Sequence, residues 1–332
     1  MENFFKNLNV QYCTTDKALW SVRASNSKLE PQYWHQHITI SNLNKIEKNS
    51  CIEFGIIGYS CEEGVKRNQG RIGTKEAPNT IRKSLSKLPI HFEAKRITDF
   101  GNISCLDNDM EACQNGLLKT ISLLIKKKVF PIVLGGGHDL AYGHFNGIKN
   151  ALKHKVKNKI GIINFDAHFD LRQIEDRPNS GTPFNQIFLD TSKDKQVVNY
   201  FVIGIQQQSN TKMLFNIAKE NRVQFVPNLE CTMSKKHLKN IKKNLKTFIN
   251  QNDYIYISID MDGFSSAYAP GVSASSSLGF SPFFFFNILE FILKSNKVIS
   301  CDIAEVNPVF DADNKTSKLA AKIVDFIVQN YK

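Results

Sequence analysis

Seven short runs of apolar, largely β-branched residues punctuate the chain: Phe54–Tyr59, Pro131–Leu134, Ile160–Phe165, Tyr200–Ile205, Val223–Val226, Tyr254–Ile259 and Val298–Ile303. Several are continuous rather than alternating. That is the pattern of strands covered on both faces, which a parallel sheet flanked by helices requires. Segments with helical periodicity lie between many of them. Glu111–Lys128 has apolar residues at Leu117, Leu118, Ile121, Leu124 and Ile125, and Ser281-Pro282 makes a helix start leading into Phe283–Leu293. Thr316–Tyr331 repeats the pattern at Leu319, Ala320, Ile323, Phe326 and Ile327. Strand and helix in alternation predict an α/β domain with a mostly parallel sheet. No Pro/Gly/Ser-rich linker, repeat or break in composition divides the 332 residues. The expectation is one domain over residues 51–332, with the first 50 residues as an N-terminal extension packed on it.

The chemistry collects where three of those runs stop. Pro131–Leu134 leads into Gly135-Gly136-Gly137-His138-Asp139, Ile160–Phe165 into Asp166-Ala167-His168-Phe169-Asp170, and Tyr254–Ile259 into Asp260-Met261-Asp262. Ligands of open α/β sheets bind beyond the carboxyl ends of the strands, so one rule of the fold brings all three clusters to one rim. Spacing by two sets Asp166, His168 and Asp170 on one side of an extended chain, and Asp260 with Asp262 likewise. The glycines before His138 lack a Cβ and permit close backbone approach beside a crowded site. Four aspartates cannot all stay ionised there without compensation. Two divalent cations set +4 against their −4, and two imidazoles add neutral donors. Oxygen and imidazole donors without thiolate suit Mn²⁺, Fe²⁺, Co²⁺ or Ni²⁺ and leave Zn²⁺ open. Taken singly, a histidine after glycines is most often a turn or core residue, and an Asp-x-Asp a solvated loop. The three together, each behind a buried-strand pattern, point to a metal centre. Asp139 is expected to make a structural hydrogen bond. His35, His37, His91, His144, His154 and His237 have no carboxylate companion at ligand spacing and read as surface or structural residues.

Composition narrows the remaining classes. With 42% hydrophobic and 22% charged residues, the chain is made like a folded protein, not a disordered one. The net charge of +12 raises the question of nucleic acid. Yet the lysines are dispersed, densest in Lys126–Lys128, Lys153–Lys159 and Lys235–Lys246, without interleaved aromatics. They read as solvated helix faces, and no nucleic-acid partner is expected. Seven cysteines, odd in number and without a CxxC pair, fit free thiols of a reducing compartment better than a disulfide framework. No run approaches the ~20 apolar residues of a membrane span. Met1–Val10 lacks the apolar core of a signal peptide, so a cytoplasmic protein without a membrane partner is the expectation.

GGGHD (135–139), DAHFD (166–170), SIDMD (258–262) and DIAEVNP (302–308) resemble, in order and spacing, the signatures of the ureohydrolase (arginase/agmatinase) superfamily. The resemblance runs from about Phe54 to the end of the chain. It implies a three-layer α/β/α sandwich around a mostly parallel sheet, an arginase-like metallohydrolase domain, a homo-oligomer, and two Mn²⁺ per chain. Carried over residue by residue, Asp166 and Asp260 bridge the two ions. His138 and Asp170 complete the shell of one, and His168 and Asp262 that of the other.

Within the superfamily the chain is most similar to the formimidoylglutamase group. Arg67–Gly73 resembles its RNxGRxG loop, Ser180–Phe184 its SGTPF segment, and Ala269–Ala274 its APGVSA segment. Ser265-Ser266 stand where arginases and agmatinases carry Asp-Pro, and Pro183-Phe184 lie near the place of a proton-shuttling histidine of arginases. The activity implied is hydrolysis of the formimidoyl C–N bond of N-formimidoyl-L-glutamate, a step of histidine degradation, to L-glutamate and formamide. Asp170 would handle the proton of the attacking water, and Glu305 would hold the cationic amidine. Arg172, Arg177, Ser180 and Thr182 would bind the carboxylate-bearing tail of this small-molecule substrate, arginine being suited to bidentate contact. Arg71 lines the same loop or braces it. Competing readings are a guanidino hydrolase, an arginase-like amide deacetylase (disfavoured by the repeated Asp-x-Asp), and an inactive binding protein that kept the fold. Metal content separates the last from the others.

Overall fold

A computed structural model of the chain describes residues 4–21, 31–46, 51–93, 95–152, 159–193 and 197–331. Its strands are β1 (Val10–Cys13), β2 (Thr39–Ile40), β3 (Phe54–Ser60), β4 (Ile97–Cys105), β5 (Phe130–Leu134), β6 (Ile160–Phe165), β7 (Val198–Ile205), β8 (Gln224–Pro227), β9 (Tyr254–Asp260) and β10 (Val298–Ala304). They form one sheet in the order β1-β4-β3-β5-β10-β9-β6-β7-β8, with β2 on β4. β1 runs antiparallel to β4, and every other pairing between these strands is parallel. The helices are α1 (Trp34–His37), α2 (Glu63–Arg67), α3 (Ala77–Leu85), α4 (Met110–Lys126), α5 (Leu140–Leu152), α6 (Pro183–Lys193), α7 (Lys212–Glu220), α8 (Lys235–Gln251), α9 (Pro282–Leu293) and α10 (Lys315–Asn330). No described helix is long and apolar enough to cross a membrane.

Continuous apolar runs become strands because both of their faces are buried. Ile132, Ile163, Ile257 and Ile303 point into a core shared with α3, α8, α9 and α10. Their neighbours Val133, Ile162 and Tyr256 point into the opposite core, with α4, α5, α6 and α7. Two cores on one sheet make the three-layer α/β/α sandwich. Helix starts follow local chemistry: Asp109 accepts the Ala112 N–H at the start of α4, and Ser281 the Phe284 N–H before Pro282 in α9.

The sheet is wider than the apolar runs indicate. β4 is absent from them because Asp99, Gly101 and Asn102 stand in its middle. Asp99 is buried, and Asn102 partly so, against Arg82 of α3. Its Nε and Nη2 donate to the two Asp99 oxygens at 2.8 Å each, its Nη1 to Asn102 Oδ1 at 2.6 Å, and its Nη2 also to Gly101 O at 2.9 Å. Gly101 has φ +88, and a Cβ there would stand 2.0 Å from Cys13 O, so β1 can pair with β4 only beside a glycine. The extension expected over the first 50 residues contributes β1 and β2 to the sheet itself. Trp20 Nε1 donates to Asp99 Oδ2 (2.8 Å), and the buried Trp34 donates to Asp325 of α10 (2.7 Å). The segment 153–158, with His154 and most of its lysine cluster, lies outside the described residues.

Arg82 and Asp99 are both fully buried, so deleting one partner leaves an uncompensated charge, which costs about 3–5 kcal/mol. Arg82→Met should therefore lower the thermal midpoint markedly. Lys75→Met, which removes the solvent-exposed partner of Glu62, should change stability by less than about 1 kcal/mol. Equal midpoints for the two variants in differential scanning calorimetry would show that the buried pair holds nothing together.

Candidate metal centre

Four strands adjacent at the middle of the sheet, β5, β10, β9 and β6, carry the chemistry at their carboxyl ends. After β5 the chain passes close under two neighbours: a Cβ on Gly136 would lie 1.9 Å from Cys61 O, and one on Gly135 2.6 Å from Ile303 O. Glycine is thus obligatory here, and it carries His138 over the ends of β6 and β9. His138 Nδ1 lies 2.9 Å from Asp170 Oδ2, 3.0 Å from Asp260 Oδ2 and 3.3 Å from Asp166 Oδ2. His168 Nδ1 lies 3.1 Å from Asp262 Oδ2 and 3.5 Å from Asp166 Oδ1. The donors fall into two groups, His138–Asp166–Asp170–Asp260 and Asp166–His168–Asp262, with ligand atoms within 4.8 Å of one another in each. Asp166 belongs to both and turns a different oxygen to each. Asp260 belongs to the first, its Oδ1 accepting the Asp262 N–H at 2.7 Å. Asp170 and Glu305 have φ of +49 and +63, left-handed backbone that non-glycine residues adopt at a cost, where their side chains enter the site.

This donor set fits divalent cations. His138 Nδ1 and Asp262 Oδ1 are buried without a hydrogen bond, although three carboxylate oxygens surround that nitrogen. A cation between them would satisfy all four groups at once. Burial, together with the charges of Asp262 and Asp166, pushes the Asp260 carboxyl up to about 8. Burial and the Asp166 charge push Asp170 up to about 6. Glu305 is held well above the usual carboxylate range by burial and the Asp260 charge, and its Oε1 accepts the His138 N–H at 2.9 Å.

A cavity of about 290 Å³ opens over these donors, lined further by Asn68, Gln69, Arg71, Arg172, Ser180, Ser273 and Glu305. A second cavity of about 560 Å³ lies outside it and shares Asn68, Gln69 and Arg172 with it. Arg172 therefore stands at the junction, and Ser180 Oγ accepts from Asn68 Nδ2 (3.1 Å) in the inner space. Two expectations are corrected. Arg177 reaches only the outer cavity, where its half-exposed side chain pairs with Glu111 at 3.2 Å. Thr182 lines neither cavity: it is fully buried, and its Oγ1 is used by the Asn179 N–H (3.0 Å), Asn179 O (2.9 Å) and Gln186 Oε1 (3.0 Å). It shapes the turn before α6. Arg71 is a brace, with Nε donating to Ser273 O at 3.0 Å and the guanidinium 4.1 Å over the Phe310 ring. Phe184 packs its ring edge-on to His138, with 5.4 Å between centroids.

Asp139 accepts from Tyr59 O–H at 2.6 Å, a structural hydrogen bond as expected. His144 does have a carboxylate companion, Asp302, which β10 brings to 2.6 Å. The sequence reading missed Ser258, whose Oγ lies 2.9 Å from His138 Nε2. The signal was the alternation Tyr256-x-Ser258-x-Asp260, polar on one face of an otherwise apolar strand.

The chain matches the arginase family over residues 52–328. A formimidoylglutamase of Clostridium tetani is 38% identical to it over 328 residues, 97% of this chain and 96% of that one. The fold is similar to that of formimidoylglutamase from Bacillus subtilis (TM-score 0.75, 22% identity, 93% of this chain and 95% of that one). It is also similar to Trypanosoma cruzi formiminoglutamase solved with Mn²⁺ (TM-score 0.74, 23% identity, 87% and 98%). The chain belongs to the arginase family.

Asp260 and Asp170 must shed protons before their oxygens can meet a cation, so apparent Mn²⁺ affinity should rise as pH goes from 6 to 8. Binding should release protons over the same window. Calorimetric titrations in buffers of different ionisation enthalpy read both quantities. An affinity that stays flat across the window would remove these carboxylates from the ligand set.

Proposed function

We propose that the chain hydrolyses the formimidoyl C–N bond of N-formimidoyl-L-glutamate, giving L-glutamate and formamide. We assign two Mn²⁺ to His138, Asp166, His168, Asp170, Asp260 and Asp262. The observation that carries this reading is a pair of donor groups sharing Asp166 beneath a cavity with Arg172 at its mouth. The 38% identity to a formimidoylglutamase over nearly the whole length supports it. In this reading residues 51–332 form the hydrolase domain, with the N-terminal segments packed on it.

Divalent ions bound there supply Lewis acidity that lowers the pKa of a water molecule toward neutrality. The remaining steps fall to side chains. Glu305, anchored through Oε1 on the His138 amide, offers its carboxyl group to the amidine N–H groups and holds the carbon in reach of attack. Asp170 takes the proton from the water and returns it to the glutamate nitrogen as the C–N bond breaks. Its place beside His138 and Asp166, at the floor of the cavity, puts it within reach of both transfers. Arg172 pairs with the tail carboxylates. Arginine or agmatine would bring an amine to the same place and be repelled.

We also read the chain as a cytoplasmic homo-oligomer. The cysteines, present as thiols, support the first. Apolar surface beside β8 supports the second: Phe225, Leu229 and Leu278 are exposed around a cavity of about 510 Å³.

At equal Mn²⁺ loading, kcat/KM should be far greater for formimidoylglutamate than for arginine or agmatine. Arg172→Met should raise KM for formimidoylglutamate roughly 10- to 100-fold, the worth of a charge-assisted hydrogen bond (~1.5–3 kcal/mol), while metal content stays unchanged. Preference for a guanidino substrate would leave the family intact and reject the substrate assignment.

A further inference from the structure

The two ring nitrogens of His138 meet different surroundings. Nδ1 faces Asp166, Asp170 and Asp260, whereas Nε2 lies 2.9 Å from Ser258 Oγ. Ser258 sits two residues before Asp260 on β9 and is the ladder partner of Asp302 on β10. Its hydroxyl donates to Asp302 Oδ1 at 2.6 Å. Asp302 Oδ2 accepts from Tyr256 O–H and from His144 Nδ1–H, the latter at 2.6 Å. His138, His144, Tyr256, Ser258 and Asp302 are all buried, and of the five only His138 reaches the cavity.

A count of protons fixes the tautomer. The Ser258 hydroxyl has one proton. Asp302, with two donors already on Oδ2, is an acceptor-only carboxylate, so that proton points to Oδ1. The Ser258 oxygen then has only lone pairs to offer His138. Nε2 must carry a hydrogen, and Nδ1 is the nitrogen left to ligate. Without this arrangement the single proton of a neutral imidazole would move to Nδ1, where three carboxylates attract it, and the ligating lone pair would be lost.

We propose that Asp302, acting through Ser258, is a positioning residue that holds His138 in the Nδ1-ligating tautomer and fixes its ring plane. The inference rests on His138 being a metal ligand. The hold is rigid because it closes a ring: His138 to Ser258 to Asp302 to His144, and back along α5 to the loop that bears His138. Asp302 is locked in turn by Tyr256 on the neighbouring strand. A partner of this kind, behind the ligand and out of reach of substrate, commonly governs metal affinity by 10- to 100-fold.

The test titrates the metal-free full-length protein with Mn²⁺, by calorimetry and by electron paramagnetic resonance. The variants are Ser258→Ala, Asp302→Asn and Ser258→Thr. The wild type should fill both donor groups and give the signal of two exchange-coupled manganese ions. Ser258→Ala and Asp302→Asn should each lose roughly 10- to 100-fold in affinity at the His138 group and keep the His168 group within a few-fold. Their spectra should then show isolated Mn²⁺. Ser258→Thr, which retains the hydroxyl, should recover the coupled signal. Should Asp302→Asn not fold, Ser258→Ala with its Thr rescue decides alone. Wild-type affinity in Ser258→Ala, or equal weakening at both groups, overturns the positioning role. A wild type that takes up no ion overturns the metal reading, and this inference with it.

Discussion

Mutual repulsion among Asp166, Asp170, Asp260 and Asp262 is the constraint around which the rest of the molecule is arranged. They are gathered at one rim, nearly shut off from water, with ligand atoms a few ångström apart. At such separations and low effective dielectric, like charges cost several kcal/mol per pair unless protons or cations intervene. A fold that tolerates this must derive its stability elsewhere. Here that is the pair of apolar cores on either side of the sheet, into which Met261 and Phe169, the neighbours of the ligands, are themselves packed. A stable slab with a strained edge is a common division of labour in α/β proteins, since strand ends can be chemically costly while strand middles are not.

How far the sequence disclosed this arrangement depended on where each residue's partner lay. Strands buried on both faces were legible because their own composition declares their environment: Ile160–Phe165 needs no knowledge of its neighbours to read as interior. Asp166, His168 and Asp170 were legible as a group because alternation along one strand places them together. β4 was illegible for the opposite reason. Asp99 makes the strand look exposed, and only Arg82, on a helix that the strand patterns do not reveal, neutralises it. His144 looked solitary because Asp302, its carboxylate, arrives from the far end of the chain. Arg177 and Thr182 were assigned by adjacency to a motif. Adjacency does not tell which side of a loop faces the cavity.

The mouth of the cavity is built by a different logic from its floor. Gly70 passes so close to Ser273 that a Cβ would come within 2.5 Å of its hydroxyl, and Arg71 donates to the Ser273 carbonyl. Asn307 Nδ2 donates to the carbonyls of Arg71 and Ile72 at 2.8 and 3.2 Å. Arg67 fixes the segment after Asp170 from the other side, through Pro178 O (3.1 Å) and Glu111 (2.7 Å). The loops after β3, β6, β9 and β10 are thus tied to one another by arginine and asparagine side chains, not through the carboxylates beneath them.

That separation has a consequence for how such a site can change. The arginines at positions 67 and 71 are already committed to backbone carbonyls or carboxylates and have few donors to spare, whereas Arg172 has no carboxylate partner among the described residues and stands between the two cavities. Charge at the mouth can therefore be altered at position 172 without loosening the loops that frame it. The floor has no such freedom. Moving Asp166 disturbs both donor groups, and moving His138 disturbs the Glu305 contact and the Ser258 bond together. Substrate preference in this architecture can drift at the mouth while the chemistry of the floor stays fixed. One rim of a parallel sheet can in this way serve substrates that share a C–N bond to be cut and differ in the charge of their tails.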